Sequence, residues 1–264
     1  MNSGVISELR HRDPFLFWIG AANLLALVVC ALLSIGDQRL VLGINVWIKP
    51  MKFLVSIAMF VWTVAWFMPE TTSPGVRVVV SRIIGLTMTI ENICIIGQAF
   101  RGTTSHYNND TPFDAMVFSL MGFAIMINTV AMAVFLFILR RDTPAHRAGY
   151  LWGIRIGVVI FLLASAQGGL LVANQAHSVG GPDGGPGLPF VNWSTEFGDL
   201  RIAHFVGLHA LQVLPLFGFL LDKFRMPGRN LVVAVSILWL AVMGGVLWIA
   251  LQGRPLIIED WVIP

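Results

Sequence analysis

The stretch GDLRIAHFVGLHALQVLP, Gly198 to Pro215, sets groups able to bind a metal or carry protons into an apolar background. Asp199, Arg201, His204, His209 and Gln212 all fall inside it. At roughly 100° per residue, Arg201, His204, Phe205, Leu208, His209, Gln212 and Pro215 occupy one arc of a helix, which is expected to face inward. His204 and His209 are about 140° apart on that arc, too far to chelate one ion as an i,i+4 pair would. Each is expected to meet partners from other segments.

Other segments repeat the pattern. Glu91, Cys94 and Gln98 follow i, i+3, i+7 on one stripe, with Arg101 just beyond. A carboxyl group deep in an apolar span marks a functional site by default; the plainer alternative is a neutral Glu91 hydrogen-bonded to a neighbouring helix. In GINVWIKPMKF, Lys49 and Lys52 share a face with Ser56 and Thr63. Pro50 suits a first helical turn and disfavours a helix running through Lys49. Trp47 reads as an interface anchor, and the plain reading of the lysines is snorkelling. Gln167 and Asn174 share a face, and Gly168 with Gly169 would allow close helix packing. His106 lies in QAFRGTTSHYNND and His177 in NQAHSVGGPDGGPGLPFVNW.

Three chemistries fit these residue types. Neutral imidazole is the commonest side-chain ligand for copper, zinc and iron, and histidines hold haem inside bundles. The leading expectation is therefore a metal or haem held by His204, His209, His106 and His177 for redox or electron transfer. Glu91, Gln98, Arg101, Lys49, Lys52, Asp199, Arg201 and Gln212 would then form the surrounding shell. The alternative is a metal-free pocket in a transporter, sensor or lipid- or quinone-binding module: the four cations would take acidic groups, and the histidines and Glu91 would carry protons. A membrane hydrolase with metal-activated water would use the same residues. HExxH, CxxC, G-x-S-x-G and GxxxxGK[ST] are all missing, and the last span has no lysine for a retinal Schiff base.

The elements that must position these groups follow from composition. The chain has 264 residues, 56% hydrophobic and 12% charged, about half the charge of a soluble domain, and its mean hydropathy is +0.79. Long apolar runs make it an all-α polytopic membrane protein in contact with the lipid bilayer, and its net charge of +3 needs no nucleic-acid partner. Runs near the roughly 20 residues that cross a bilayer fall at 14–35, 48–67, 79–100, 114–139, 149–173, 201–221 and 230–250. They predict a seven-helix bundle forming a single domain, 1–264. The first run is read as an uncleaved span. Cys30 and Cys94 lie within spans, as small buried hydrophobes.

Lys and Arg set the orientation. Ten (Arg10, Arg12, Arg77, Arg82, Arg140, Arg141, Arg147, Lys223, Arg225, Arg229) lie on the N-terminal side and six (Arg39, Lys49, Lys52, Arg101, Arg201, Arg254) on the other, with Arg155 inside a span. The bias predicts a cytoplasmic N-terminus and a C-terminus outside. Four of the six histidines then face outward. The Gly/Pro-rich loop 174–200 is read as a linker or as a lid over a pocket.

NVWIKPMKF, QAFRGTTSHYN, HSVGGPDGGPGLP and GDLRIAHFVGLHALQVLPL together resemble a family of bacterial multi-pass inner-membrane proteins without an assigned activity. The resemblance implies a bacterial inner-membrane location and transfers no residue roles.

Overall fold

The computed structural model describes residues 4–256. These residues hold eight α-helices: α1 (Val5–Arg12), α2 (Pro14–Gly36), α3 (Ile48–Phe67), α4 (Pro74–Arg101), α5 (Pro112–Ile138), α6 (Ala148–Asn174), α7 (Leu200–Lys223) and α8 (Gly228–Leu251). Helices α2 to α8 are long and apolar enough to cross a membrane, matching the seven expected spans. The contacts gather into two compact units, Met1–Leu139 and Arg140–Pro264.

Proline and capping residues explain the starts. Pro14, Pro74 and Pro112 open α2, α4 and α5, where a missing N–H costs nothing. Oδ1 of Asp13 accepts from the Leu16 N–H at 2.9 Å. Oγ1 of Thr111 accepts from the Asp114 N–H at 3.1 Å, and its hydroxyl donates back to Asp114. The third span begins at Pro74, five residues before the apolar run suggests. Helix α4 ends at Gly102, whose φ of +76° is the left-handed conformation that closes a helix.

In the first unit, α4 is the most enclosed span, with 56% of its most apolar stretch buried against 22% for α2. It packs on α5 and α3, while α3 packs on α2. The α2–α3 connection is folded. Strands β1 (Leu40–Val41) and β2 (Ile44–Asn45) pair antiparallel, and α3 starts at Ile48 with Pro50 in its first turn, so the helix does run through Lys49. Trp47 is not an interface anchor: it is 3% exposed, and its Nε1 donates to Asp37 at 2.9 Å. Arg39 also grips Asp37 and donates to the Phe100 carbonyl at 2.9 Å. The hydrogen bonds from Arg39 hold the Asp37 carboxyl well below the usual carboxylate range.

The second unit is organised by the α6–α7 pair. Gly149, Gly153 and Gly157 recur every fourth residue on α6. A Cβ on Gly153 would lie 2.5 Å from the Leu214 carbonyl oxygen, and one on Gly218 2.1 Å from that of Gly149. The two backbones touch, as stripes of small residues allow in membranes. Gly168 faces the His204 ring and Gly169 meets nothing within 4 Å, so the tight crossing lies elsewhere than expected. The inward face of α7 is accordingly small and apolar: Ala203, Gly207, Ala210, Leu211 and Leu214 are buried. The polar arc expected to point inward is half-buried at its edge, with Phe205 44% exposed.

Candidate functional site

The expected site residues assemble as two groups, one within each unit. In the first unit they lie where α4 ends and α5 begins. Gln98 Nε2 donates to Asp114 Oδ1 at 2.8 Å, and the Arg101 guanidinium donates to both Gln98 and Asp114. With Thr111 on its other oxygen, Asp114 is fully engaged despite 3% exposure. Asp114 escaped the residue-type reading, although the Thr111-x-x-Asp114 spacing is the signature of a reciprocal helix cap.

Two turns deeper, Glu91 is 2% exposed. Its Oε1 lies 3.7 Å from Nε2 of His106, and Lys49 is within electrostatic range. Among the described residues, its Oε2 has no hydrogen-bond partner. His106 descends from the α4–α5 loop, and its Nδ1 sits 3.1 Å from the Ser105 hydroxyl. Rings surround it: Phe53 at 5.6 Å, Tyr107 at 6.0 Å and Phe118 at 6.2 Å between centroids. The imidazole therefore bridges the loop surface, where its side chain is 21% exposed, and a carboxyl group sealed below. Lys49 and Lys52 are half-buried at the start of α3, and Cys94 packs beside Phe53 and Ile95.

At the level of Glu91 but about 100° around α4, Asn92 donates to Asn23 of α2, and Asn23 donates to the Ile19 carbonyl at 2.7 Å. These asparagines and Asn128 of α5 are buried. Their mid-span positions were the available signal, masked by the apolar residues around them.

In the second unit the Gly/Pro-rich loop is folded by paired strands and hydrogen bonds. Strands β3 (Ser178–Val179) and β4 (Gly198–Asp199) pair antiparallel, and Gly187 bridges to Ser194. Asp199, 1% exposed, accepts from the backbone N–H groups of Ser194 and Arg201, each at 2.9 Å, and from the Arg201 side chain. Arg201 also donates to the Asn192 carbonyl. This pair caps α7 and clips the loop onto it. Asp183 ties the loop's first turn: it accepts from the Ser178 N–H at 2.8 Å and contacts His177 Nδ1 at 2.6 Å. Burial works to raise the Asp183 carboxyl; the hydrogen bonds and charge of His177 outweigh it and hold the group below the usual range. Trp193 folds back against Phe205 at 5.4 Å, while Phe190 stays 55% exposed.

His204 donates from Nδ1 to the Ala164 carbonyl at 2.8 Å. The His209 ring stacks on Phe205 at 4.1 Å and hydrogen-bonds Gln212. It borders an apolar groove of about 500 Å³ with Val206, Val235 and Trp239. Gln167 donates weakly to the Leu200 carbonyl, at 3.3 Å. Arg155 reaches the Arg140 carbonyl in the preceding loop. Among the described residues, no three His, Cys, Asp or Glu side chains gather as a metal ion requires.

No protein-family model, curated protein or solved structure matches this chain. The fold defines a class: seven helices able to span a membrane, compatible with a multi-pass integral membrane protein. In its first unit the buried Glu91 carboxyl lies 3.7 Å from the part-exposed His106 imidazole.

Proposed function

We propose that this chain is a bacterial inner-membrane protein with its N-terminus in the cytoplasm, and that Glu91 and His106 form a metal-free acid–base site reached from outside. One observation carries the reading: Glu91 is 2% exposed, with Oε1 3.7 Å from His106 and Oε2 unpartnered among the described residues. A carboxyl group so placed is costly unless it is neutral or balanced by charge. His106 and Lys49 supply that charge, and His106, 21% exposed at the loop surface, links the buried carboxyl to the outside. Such a centre suits a transporter, a sensor or a module for a small, lipid-like or quinone ligand, in which protonation accompanies binding.

Infrared difference spectra across a pH series, taken on protein in lipid nanodiscs, test this. A carboxyl band should titrate, vanish in Glu91→Gln and move its midpoint in His106→Ala. A Glu91 carboxyl that does not titrate anywhere the fold is stable would overturn the reading. Reporters fused to both ends test the orientation, which requires opposite sides.

One observation favours the metal or haem alternative. The Ala164 carbonyl on His204 Nδ1 is the kind of contact that orients a ligand histidine. The donors in hand supply single ligands rather than a closed set, so copper, zinc, iron or haem would take further ligands from its own partners. Stoichiometric metal, or a Soret band lost in His204→Ala, would establish this reading or the related metal-dependent hydrolase.

A further inference from the structure

The buried polar groups of α4 and α5 are aligned. Thr87, Glu91 and Gln98 fall within about 40° around the α4 axis, and they are 5%, 2% and 2% exposed. Asp114 and Asn128 share a face of α5 within about 40°, and Met121 and Ala124 between them are buried too. The Gln98–Asp114 hydrogen bond pins one stripe to the other. At the opposite end, Val80 and Ile83 line one groove with Ile127 and Ala131, so the helices run antiparallel. Met121 thus stands level with Glu91, and Asn128 about one turn below Thr87. From Gln98 to the level of Asn128 the ladder covers about 21 Å at 1.5 Å per residue, some two-thirds of a hydrocarbon core of about 30 Å.

The unsatisfied atoms on this ladder have one chemistry. Oε2 of Glu91 and Oδ1 of Asn128 are acceptors without a donor among the described residues. The Thr87 hydroxyl donates to the Ile83 and Ile84 carbonyls, at 2.8 and 3.1 Å, leaving only lone pairs toward the interface. Lipid supplies no hydrogen bonds to such groups, and buried acceptors in native proteins are paired, often by internal water. The missing partner must be small and rich in donors.

We propose that the α4–α5 interface binds a short file of water molecules between Glu91 and Asn128, which hydrates the Glu91 carboxyl while it exchanges its proton with His106. The proton exchange rests on the acid–base reading of Glu91; the water site rests on the unpaired acceptors alone. His106, Lys49 and Cys94 are the ionisable neighbours of Glu91, with Arg101 and Asp114 above.

Hydroxyl-radical footprinting with brief X-ray pulses, on the full chain in nanodiscs, tests the file, because internal water generates radicals where it is bound. Met121 and Met68 are both buried, 2% and 0% exposed, and only Met121 lies on the ladder. Met121 should be oxidised several-fold faster than Met68 in the unaltered protein, and Asn128→Leu should bring it down toward Met68. Equal rates in the unaltered protein overturn the proposal, without relying on any variant to fold. Fast Met121 labelling with a silent Glu91 in the infrared series would sink the acid–base reading and leave the water site standing.

Discussion

Two carboxylates, one in each unit, are almost equally buried: Asp199 at 1% and Glu91 at 2% exposure. Asp199 accepts from two backbone N–H groups and the Arg201 side chain. Glu91 has an imidazole at 3.7 Å and an oxygen with no partner among the described residues. Burial alone therefore does not distinguish the two; their hydrogen bonding does, since Asp199 is completed by protein donors and Glu91 is not, which is the basis for proposing a role beyond the fold for Glu91.

The largest test of this contrast is Asp199→Ala. Removing the carboxylate leaves a part-buried guanidinium, an uncapped α7 and an unclipped loop, so thermal unfolding in detergent should show a loss of about 3–5 kcal/mol. A neutral result would break the comparison on its satisfied side. Next comes Gly153→Leu, where even a Cβ would lie 2.5 Å from the Leu214 carbonyl oxygen. Overpacking of this kind costs about 1–3 kcal/mol or more, read as a lowered midpoint in the same assay. Gly97→Leu on α4, where nothing lies within 4 Å, should be silent.

Asp183 gives a third test, through pH. Its folded carboxyl titrates below its unfolded value. Its contribution is therefore complete above the ordinary carboxylate range and declines as pH falls below about 4, toward the lower folded value. Asp183→Asn should remove about 2 kcal/mol at neutral pH and flatten the acid limb of a stability–pH curve. Among the three carboxylates, the smallest effect is expected at Glu91. Glu91→Gln should leave unfolding within about 1 kcal/mol of the unaltered protein or raise it, while abolishing the carboxyl titration. A large loss there would make Glu91 a structural acid like Asp199 and erase the contrast.

The helices were legible because lipid demands length and apolarity from each span separately. Six of the seven starts fall within two residues of the apolar runs, and the exception, Pro74, follows from a proline that hydropathy ignores. The Glu91, Gln98 and Arg101 stripe was readable from spacing, since i, i+3, i+7 needs only the helix. Partners were not. That Asp114 meets Gln98 depends on how α4 and α5 pair, and that Asp199 and Arg201 hold a loop depends on a hairpin closed across Gly/Pro-rich chain. Polarity at a span end gave the same signal for Asp199 as for a ligand pocket. The inward face of α7 was misjudged because glycines on α6, rather than polar groups on α7, decide where the two backbones touch.

The α6–α7 contact has a consequence for biogenesis. Helices whose backbones touch at Gly149, Gly153 and Gly218, and whose connector is stitched by Asp183 and Asp199, form a helical hairpin that can close as soon as α7 has been synthesised. A translocon could release this pair to the bilayer as one body, with α8 added afterwards. The glycines would then act first as an assembly timer, well before they serve as packing in the finished protein.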